Sequence, residues 1–373
     1  MTTIVTTATA SDFLALVPRL VGFQPQNSVV FVAFRGNRTC GAMRFDLPAD
    51  GPSRFHKRIA TSLVGMLSKL PGVDAVVPVV YTDDRFRGDD GSAGMPRREF
   101  VDALAARFRF SGFAVRDALC VAGDGWGSYL DPDCPPEGRA LDIIESSRVL
   151  ESVPEQDRRP LGDLGGWASL PEVSPESRLR VARSVETFDA LLADARADTA
   201  RPAIALRAIL DDLPGMLEDI IGRGTAVPDH LAAAFVIAIS RSPAIRDVVM
   251  LQWAFDLDTG DRVLDDADRF ARGAAPSALG SAPLMLGRGP RPDPQRVELA
   301  ISTLKAITAL APEQARAPLY CMLAWLNWAL GRSSVAHLFV TEAERTDPDY
   351  GFADLLRTVL ERGILPEWAF ASS

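Results

Sequence analysis

At 373 residues the chain is long enough for two domains, and its hydrophobic and charged fractions of 47% and 24% exclude wholesale disorder. The net charge of −9 is unevenly spread, because residues 1–130 hold 15 basic and 12 acidic residues while the rest of the chain is strongly acidic. An acidic surface repels phosphate backbones, so nucleic-acid binding is not expected except through residues 1–130.

The first predicted elements are a short helix and a β-hairpin. Ser11 is expected to cap a helix that ends at Gly22. Two apolar runs, Ser28–Phe34 and Cys40–Leu47, flank a Gly-Asn turn, and this arrangement predicts a pair of antiparallel strands.

Two helices and two further strands then alternate. Pro52 and Pro96 each open a helix, and strands are predicted at Ala75–Tyr81 and Asp117–Ala122. Because Pro78 cannot donate a hydrogen bond, the third strand is expected at an edge of the sheet or with a bulge. Right-handed crossovers make the second, third and fourth strands parallel, so the pattern predicts an α/β domain of order ββαβαβ with a mixed, mostly parallel sheet.

Beyond residue 140 the hydrophobic periodicity is helical. It predicts a mainly α-helical C-terminal part with helices near 177–197, 201–223, 228–240, 247–254, 294–310, 313–330, 334–346 and 352–362. The predicted organisation is an α/β domain at 1–140, a helical segment at 141–271, a Gly/Pro-rich loop or linker at 272–294, and helical hairpins at 295–373. Whether the two helical segments form one domain or two stays open.

One C-terminal helix pair has the spacing of small and apolar residues found in a tetratricopeptide repeat, at Leu323, Ala324, Gly331, Ala336, Ala343 and Pro348. Asn327 stands where an aromatic residue is usual, and no second copy is found. Since such repeats need about three copies for stability, a lone helical hairpin is the favoured interpretation.

The expected compartment is the cytoplasm. The N-terminus has neither the basic nor the apolar region of a secretory signal, and the longest apolar stretches fall short of the about 20 residues that span a bilayer. Four scattered cysteines without a C-x-x-C pair argue against a zinc site and a disulfide scaffold. Cys120, inside an apolar strand, is expected to be a core residue.

Several strings resemble a family of actinobacterial proteins known as domain of unknown function 4192. They are Val17-Pro18, Leu20, Gly22-Phe23, Pro25, Ser28-Val29-Val30, Arg44, Asp46-Leu47-Pro48, Trp126, Ser128-Tyr129, Cys134-Pro135-Pro136, Gly138, Leu323-Ala324-Trp325, Gly331, Asp347-Pro348, Tyr350, Gly363 and Pro366. The family has Cys-Cys where this chain has Asp133-Cys134, which weakens a paired-thiol or metal role. The resemblance implies a relationship over the full length and no activity.

Carboxylates follow the carboxyl ends of the predicted parallel strands, where open α/β sheets bind ligands. Asp46 ends the second strand, Asp83 and Asp84 follow the third, and Asp124 follows the fourth. Three converging carboxylates would suit Mg²⁺ or Mn²⁺. Arg44 lies on the same strand face as Asp46, so these two residues are alternatively expected to form an ion pair.

Other motifs are excluded by their spacing. Gly123–Gly127 lacks the pattern of a phosphate loop, and Asp256–Asp261 lacks the glycine and glutamate positions of a calcium loop. The three histidines, His56, His230 and His337, are far apart, and His56 is expected to be exposed or half-buried rather than a catalytic base.

The sequence therefore supports two hypotheses about function. The favoured one is a non-catalytic binding or scaffold protein that docks a macromolecular partner such as another protein. The alternative is a Mg/Mn-dependent hydrolase or nuclease that uses Asp46, Asp83 or Asp84, and Asp124, with Arg44 holding an anion.

Overall fold

A computed structural model describes residues 5–88, 93–154, 161–162, 164–193, 212–273 and 281–369. The chain divides into two compact units, Met1–Trp167 and Ala168–Ala371. The predicted helical segments on both sides of 272–294 lie in the second unit, apart from residues 141–167. Part of that predicted linker, and residues 201–211 of the helix predicted near 201–223, lie outside the described residues.

The N-terminal unit contains a mixed six-stranded sheet in its described residues. Its elements are α1 (Ala10–Val21), β1 (Ser28–Arg35), β2 (Arg38–Asp46), α2 (Ser53–Leu67), β3 (Ala75–Tyr81), α3 (Arg98–Phe110), β4 (Ala114–Val115), β5 (Leu119–Val121), β6 (Trp126–Ser128), α4 (Asp142–Glu145) and α5 (Leu164–Ala168). The strand order is β2-β1-β3-β5-β6, with β4 also paired to β3.

The prediction of a mostly parallel sheet is confirmed only in part. β3 pairs in parallel with β4 and β5, whereas β1–β2, β1–β3 and β5–β6 are antiparallel. β2, β3 and β5 do run in one direction, because β2 and β3 each lie antiparallel to the strand between them. That strand is β1, and its apolar run is buried over seven consecutive residues, as a central strand requires. β6 was not predicted.

The placement of Pro78 corrects the expectation of an edge strand or a bulge. β3 is central, and Pro78 pairs with Phe31 of β1 in a regular register. Arg116 N donates to Val76 O at 3.1 Å, so Val76 and Pro78, two residues apart, turn their backbones toward the β4/β5 side. On that side the neighbouring strand is interrupted between β4 and β5, at the point where the missing N–H of the proline would have donated.

Both faces of the sheet are covered by helices because the side chains of β1 alternate. On one face, Phe31 and its neighbours pack against Leu63 of α2 and Phe108 of α3. Val30 and Val32 on the other face pack against Leu14 of α1. The helices thus fix the sheet between two apolar layers, with the strand ends free for other contacts.

α1 begins two residues earlier than predicted, because its cap is Thr9 and not Ser11. The Thr9 hydroxyl accepts from Asp12 N at 3.1 Å, and the Asp12 carboxylate accepts from Thr9 N at 3.2 Å, which together form a capping box. Hydrogen bonds from the Ser147 and Thr9 side chains hold the pKa of Asp12 below its ordinary value.

Replacing Thr9 by alanine is expected to lower the free energy of unfolding of the N-terminal unit by about 1 kcal/mol. Because the folded-state pKa of Asp12 is depressed, the stabilisation by its carboxylate is present above the unfolded-state pKa of about 3.9 and is lost as the pH falls below it. Urea unfolding of both proteins should therefore show a smaller difference in acid than at neutral pH. Thr61→Ala, which removes a hydroxyl bonded within α2, should cost much less at either pH.

The C-terminal unit is helical in its described residues. Its helices are α6 (Pro175–Ala193), α7 (Leu213–Gly222), α8 (Asp229–Arg241), α9 (Pro243–Ala254), α10 (Leu257–Ala271), α11 (Ser281–Met285), α12 (Pro294–Leu310), α13 (Arg316–Ala329), α14 (Ser333–Thr346) and α15 (Gly351–Glu361). α10 was not predicted. Asp256, from the string excluded as a calcium loop, caps it by accepting from Thr259 N at 2.8 Å. Within the ranges given above, no helix has the length and apolarity needed to span a bilayer.

Candidate functional site

Arg44 and Asp46 form the ion pair that the sequence allowed as one alternative. Arg44 Nη1 lies 2.5 Å from Asp46 Oδ1 at the end of β2, and Arg44 Nη2 donates to Gln26 O at 3.3 Å. The Arg44 side chain is mostly buried, whereas that of Asp46 is 84% exposed. The pair therefore ties the end of β2 to the segment before β1.

Asp83 and Asp84 are adjacent but hold different segments. Asp83 accepts from Asn27 Nδ2 at 2.5 Å, while its own backbone N–H donates to Asn27 Oδ1 at 3.2 Å. Asp84 instead accepts from Arg97 Nε at 2.6 Å. One carboxylate thus joins the start of β1, and the other joins the start of α3.

Asp124 caps the loop that follows β3. Its two carboxylate oxygens accept from Phe86 N at 2.8 Å and from Arg87 N at 3.2 Å. The carboxylates that were predicted to converge on one cation therefore each have another partner. Across the described part of the chain, no group of three or more His, Cys, Asp or Glu residues is placed to hold a metal ion.

A cleft of about 350 Å³ lies beside these carboxylates, where the chain leaves β2 and where α3 begins. Pro48, Asp50, Gly51 and His56 line it from the loop after β2 and from α2. Residues 97–100 line it from the start of α3. We identify this cleft as the candidate functional site because its lining combines a left-handed residue, a buried histidine and two helix N-termini without side-chain caps.

The first feature is the backbone of Arg97, which has a left-handed φ of 58°. This conformation costs a non-glycine residue roughly 1 kcal/mol or more, so the surrounding contacts must hold it. Arg97 Nε bonds to Asp84, and Arg97 Nη1 bonds to Asp50 at 2.8 Å and to Pro48 O at 3.2 Å. The buried guanidinium thereby joins three segments around the cleft.

The second feature is His56, which is buried, with only 6% of its surface exposed. The expectation of an exposed or half-buried histidine is wrong, because α2 packs this residue against α3, with the ring 5.9 Å from that of Phe100. Its Nδ1 has no hydrogen-bond partner among the described residues. Buried polar atoms are rarely left unpaired, and within the cleft lining this nitrogen is the buried side-chain atom that lacks a partner.

The third feature is a pair of helix N-termini. α2 and α3 both begin beside the cleft, and neither first turn receives a side-chain cap within the described residues. The caps are Pro52, which has no suitable side chain, and Arg97, whose side chain is directed to carboxylates. Uncapped first-turn amides and the helix dipole favour negative charge at this position.

Tyr129 also fixes the start of α3. Its hydroxyl donates to Pro96 O at 2.6 Å, and the guanidinium of Arg98 lies 5.6 Å from the centre of its ring. Burial raises the pKa of Tyr129 well above its ordinary value, so the hydroxyl stays protonated as this bond requires. Cys120, packed nearby, is a core residue as predicted, and burial raises its pKa to about 12.

Sequence reasoning missed His56, Arg97 and Arg98. A usable signal was present, because Pro52 and Pro96 each mark a helix start that has no polar cap, and the basic residues follow within four positions. The sequence gives no direct indication that these two helix starts meet.

The family model described as "Domain of unknown function (DUF4192)" matches residues 11–367, which is nearly the whole chain. No curated protein and no solved structure matches the chain. The matched range includes both helix starts at the cleft and the Trp126–Cys134 segment that supports one of them.

Proposed function

From the premise that the chain belongs to the DUF4192 family, which has no assigned function, we propose that its N-terminal unit binds a small phosphate-like anion in the cleft between α2 and α3. The observation that carries the proposal is the unpartnered, buried Nδ1 of His56 beside two uncapped helix N-termini. This role keeps the non-catalytic binding of the sequence-based hypothesis but replaces its macromolecular partner by a small ligand.

The lining holds Asp50 and Glu99 as well as Arg97 and Arg98, so an oxyanion is favoured by the way these charges are paired and not by their sum. Arg97 is already paired with Asp84 and Asp50, whereas Arg98 has its guanidinium over an aromatic ring and pairs with no carboxylate among the described residues. Asp50, whose side chain is 82% exposed, holds Arg97 from the solvent side. A phosphate group could accept from Arg98, from His56 and from the first-turn amides at once.

The hydrolase alternative receives less support. Asp46, Asp83, Asp84 and Asp124 each bond to a different neighbouring segment, and among the described residues they do not form a group that could hold Mg²⁺ or Mn²⁺. Binding without catalysis, in the cytoplasm, is accordingly the function we propose.

The expected result is that inorganic phosphate stabilises the protein against heat more than chloride does at the same ionic strength. Arg98→Gln and His56→Phe should each weaken phosphate binding by at least about tenfold, because each removes a charge-assisted or buried hydrogen bond. His56→Phe retains an aromatic ring beside Phe100 and so limits the loss of packing.

Arg109→Gln is the matched control, because Arg109 lies at the opposite end of α3 from the cleft. Its phosphate affinity, measured by thermal-shift titration and by ³¹P line broadening, should equal that of the unaltered protein. Equal stabilisation by phosphate and chloride, or equal affinity in all three variants, would contradict the proposal.

A further inference from the structure

Three basic side chains lie close together at the start of α2. Arg54 is in the first turn of the helix, and Lys57 and Arg58 are in the second. All three are exposed, and none of them forms an ion pair with a described residue. The guanidinium of Arg58 lies 5.9 Å from the centre of the Phe55 ring. Residues 51–73 include no Asp or Glu, so the sequence of α2 supplies no counter-charge.

This basic cluster lowers the stability of α2 in two ways. Residues three and four positions apart are neighbours on a helix surface, so Arg54 repels both Lys57 and Arg58. The amino-terminal end of a helix carries partial positive charge, and Arg54 adds a like charge to it. The first turn of α2 contains no acidic residue that would compensate. Charges that are kept against both effects indicate a role other than folding.

The exposed face of α2 is polar as well as basic. It continues with Thr61, Ser62 and Gly65, and Lys69 follows the end of the helix. Of the large apolar side chains that are exposed within the described ranges, none belongs to α2. Protein–protein interfaces bury aromatic anchors, and helices that lie on membranes insert apolar side chains, so neither partner matches this face. Interfaces with nucleic acids are more polar and more positive, and their Arg, Lys, Ser and Thr side chains contact phosphates.

We propose that the exposed basic face of α2 binds the phosphate backbone of a nucleic acid, without reading the base sequence. Arg54 and Arg58 are one helical turn apart, about 6 Å along the axis, so phosphates close together on one strand reach both. Residues 131–373 are strongly acidic, which leaves the N-terminal part as the region that attracts a polyanion. None of the three basic residues lines the cleft, so this proposal does not depend on the ligand bound there.

The salt dependence of binding tests the contact. A labelled duplex of about 20 base pairs and mixed sequence should bind with a Kd of about 1–100 μM near physiological salt. The triple variant Arg54→Gln, Lys57→Gln, Arg58→Gln should bind at least about tenfold more weakly. The slope of log affinity against log salt concentration should become shallower by about 0.9 for each phosphate contact that is lost. Fluorescence anisotropy measures both quantities.

Thermal stability separates lost binding from lost structure. Arg54→Glu should bind the duplex more weakly and yet raise the Tm by about 1–3 °C, because a carboxylate in the first turn interacts favourably with the helix dipole. Arg109→Glu is the matched control, since Arg109 is exposed in the last turn of α3. The same change in charge should there lower the Tm and alter the Kd by less than about twofold.

Two kinds of result would overturn the proposal. The first is no binding of the duplex by the unaltered protein, or equal affinity in the triple variant. The second is tighter binding of polyglutamate or of phosphatidylserine vesicles than of the duplex, at the same concentration of negative charge. An acidic protein or a membrane would then be the partner of this face.

Discussion

Replacing Arg246 by methionine is expected to lower the free energy of unfolding of the helical unit by about 3–5 kcal/mol. Arg246 lies in α9 with only a tenth of its side chain exposed. Its Nη2 bonds to Asp247 Oδ1 at 2.7 Å, its Nη1 donates to Tyr350 Oη at 3.0 Å, and its guanidinium lies 3.9 Å from the centre of the Phe352 ring. Urea unfolding measures the change.

The expected loss is large because Asp247 would be left without its partner in a largely buried position. Burial already raises the pKa of Asp247 above its ordinary value, and the arginine opposes that rise. Methionine retains the length of the side chain, so the variant removes charge and hydrogen bonds more than volume.

Arg223→Met is the matched control, since Arg223 pairs with Asp219 at 2.9 Å on an exposed helix surface. Such pairs are typically worth less than about 1 kcal/mol. If the two arginine variants lost similar stability, the Arg246 cluster would not stabilise the helical unit more than an exposed ion pair does. The same cluster gives a physical role to Tyr350, which follows the Asp347-Pro348 string in the family resemblance.

Replacing Gly287 by alanine is expected to destabilise the helical unit by about 2–5 kcal/mol, because two costs combine. Gly287 has a left-handed φ of 77°, and an added Cβ would lie 2.6 Å from Pro366 Cα and 2.7 Å from the Trp328 ring. The clash with Pro366 involves backbone, so it is not relieved by a side-chain rotation. Thermal and urea unfolding of the alanine variant would measure the sum.

Gly331→Ala separates the two costs. Gly331 has nearly the same φ, 79°, but a Cβ there would meet no atom within 4 Å among the described residues. We expect this variant to lose only the backbone term, about 1–2 kcal/mol. Equal losses at the two glycines would show that the contact with Pro366 has no energetic weight.

Much of the fold could be predicted because each of its amphipathic helices has its own stripe of apolar side chains, which recurs in the sequence at intervals of three and four residues. α12 and α14 begin and end within about one residue of their predicted limits. α10 was missed because the string Asp256–Asp261 was weighed only as a calcium loop, whereas Asp256 is the cap of a helix. The sheet order was not predictable in the same way, since pairing between distant strands leaves no local pattern.

The candidate site was predicted least well. The carboxylates after β3 and β5 were placed at the correct edge of the sheet, but their partners, such as Arg97, come from segments distant in the chain. His56 was discounted because no second histidine lies near it in the sequence. Its importance arises from packing against α3 and from an unpaired ring nitrogen, and neither is visible in a linear pattern.

Pro78 in the central strand limits which substitutions at this position the sheet can accommodate. Any other residue at position 78 would add a backbone N–H directed at a segment that has no ladder partner to offer. A continuous strand through residues 116–118 would direct its carbonyls at a proline ring. Pro78 and the break between β4 and β5 therefore accommodate each other, because the neighbouring strand is absent where the proline cannot donate.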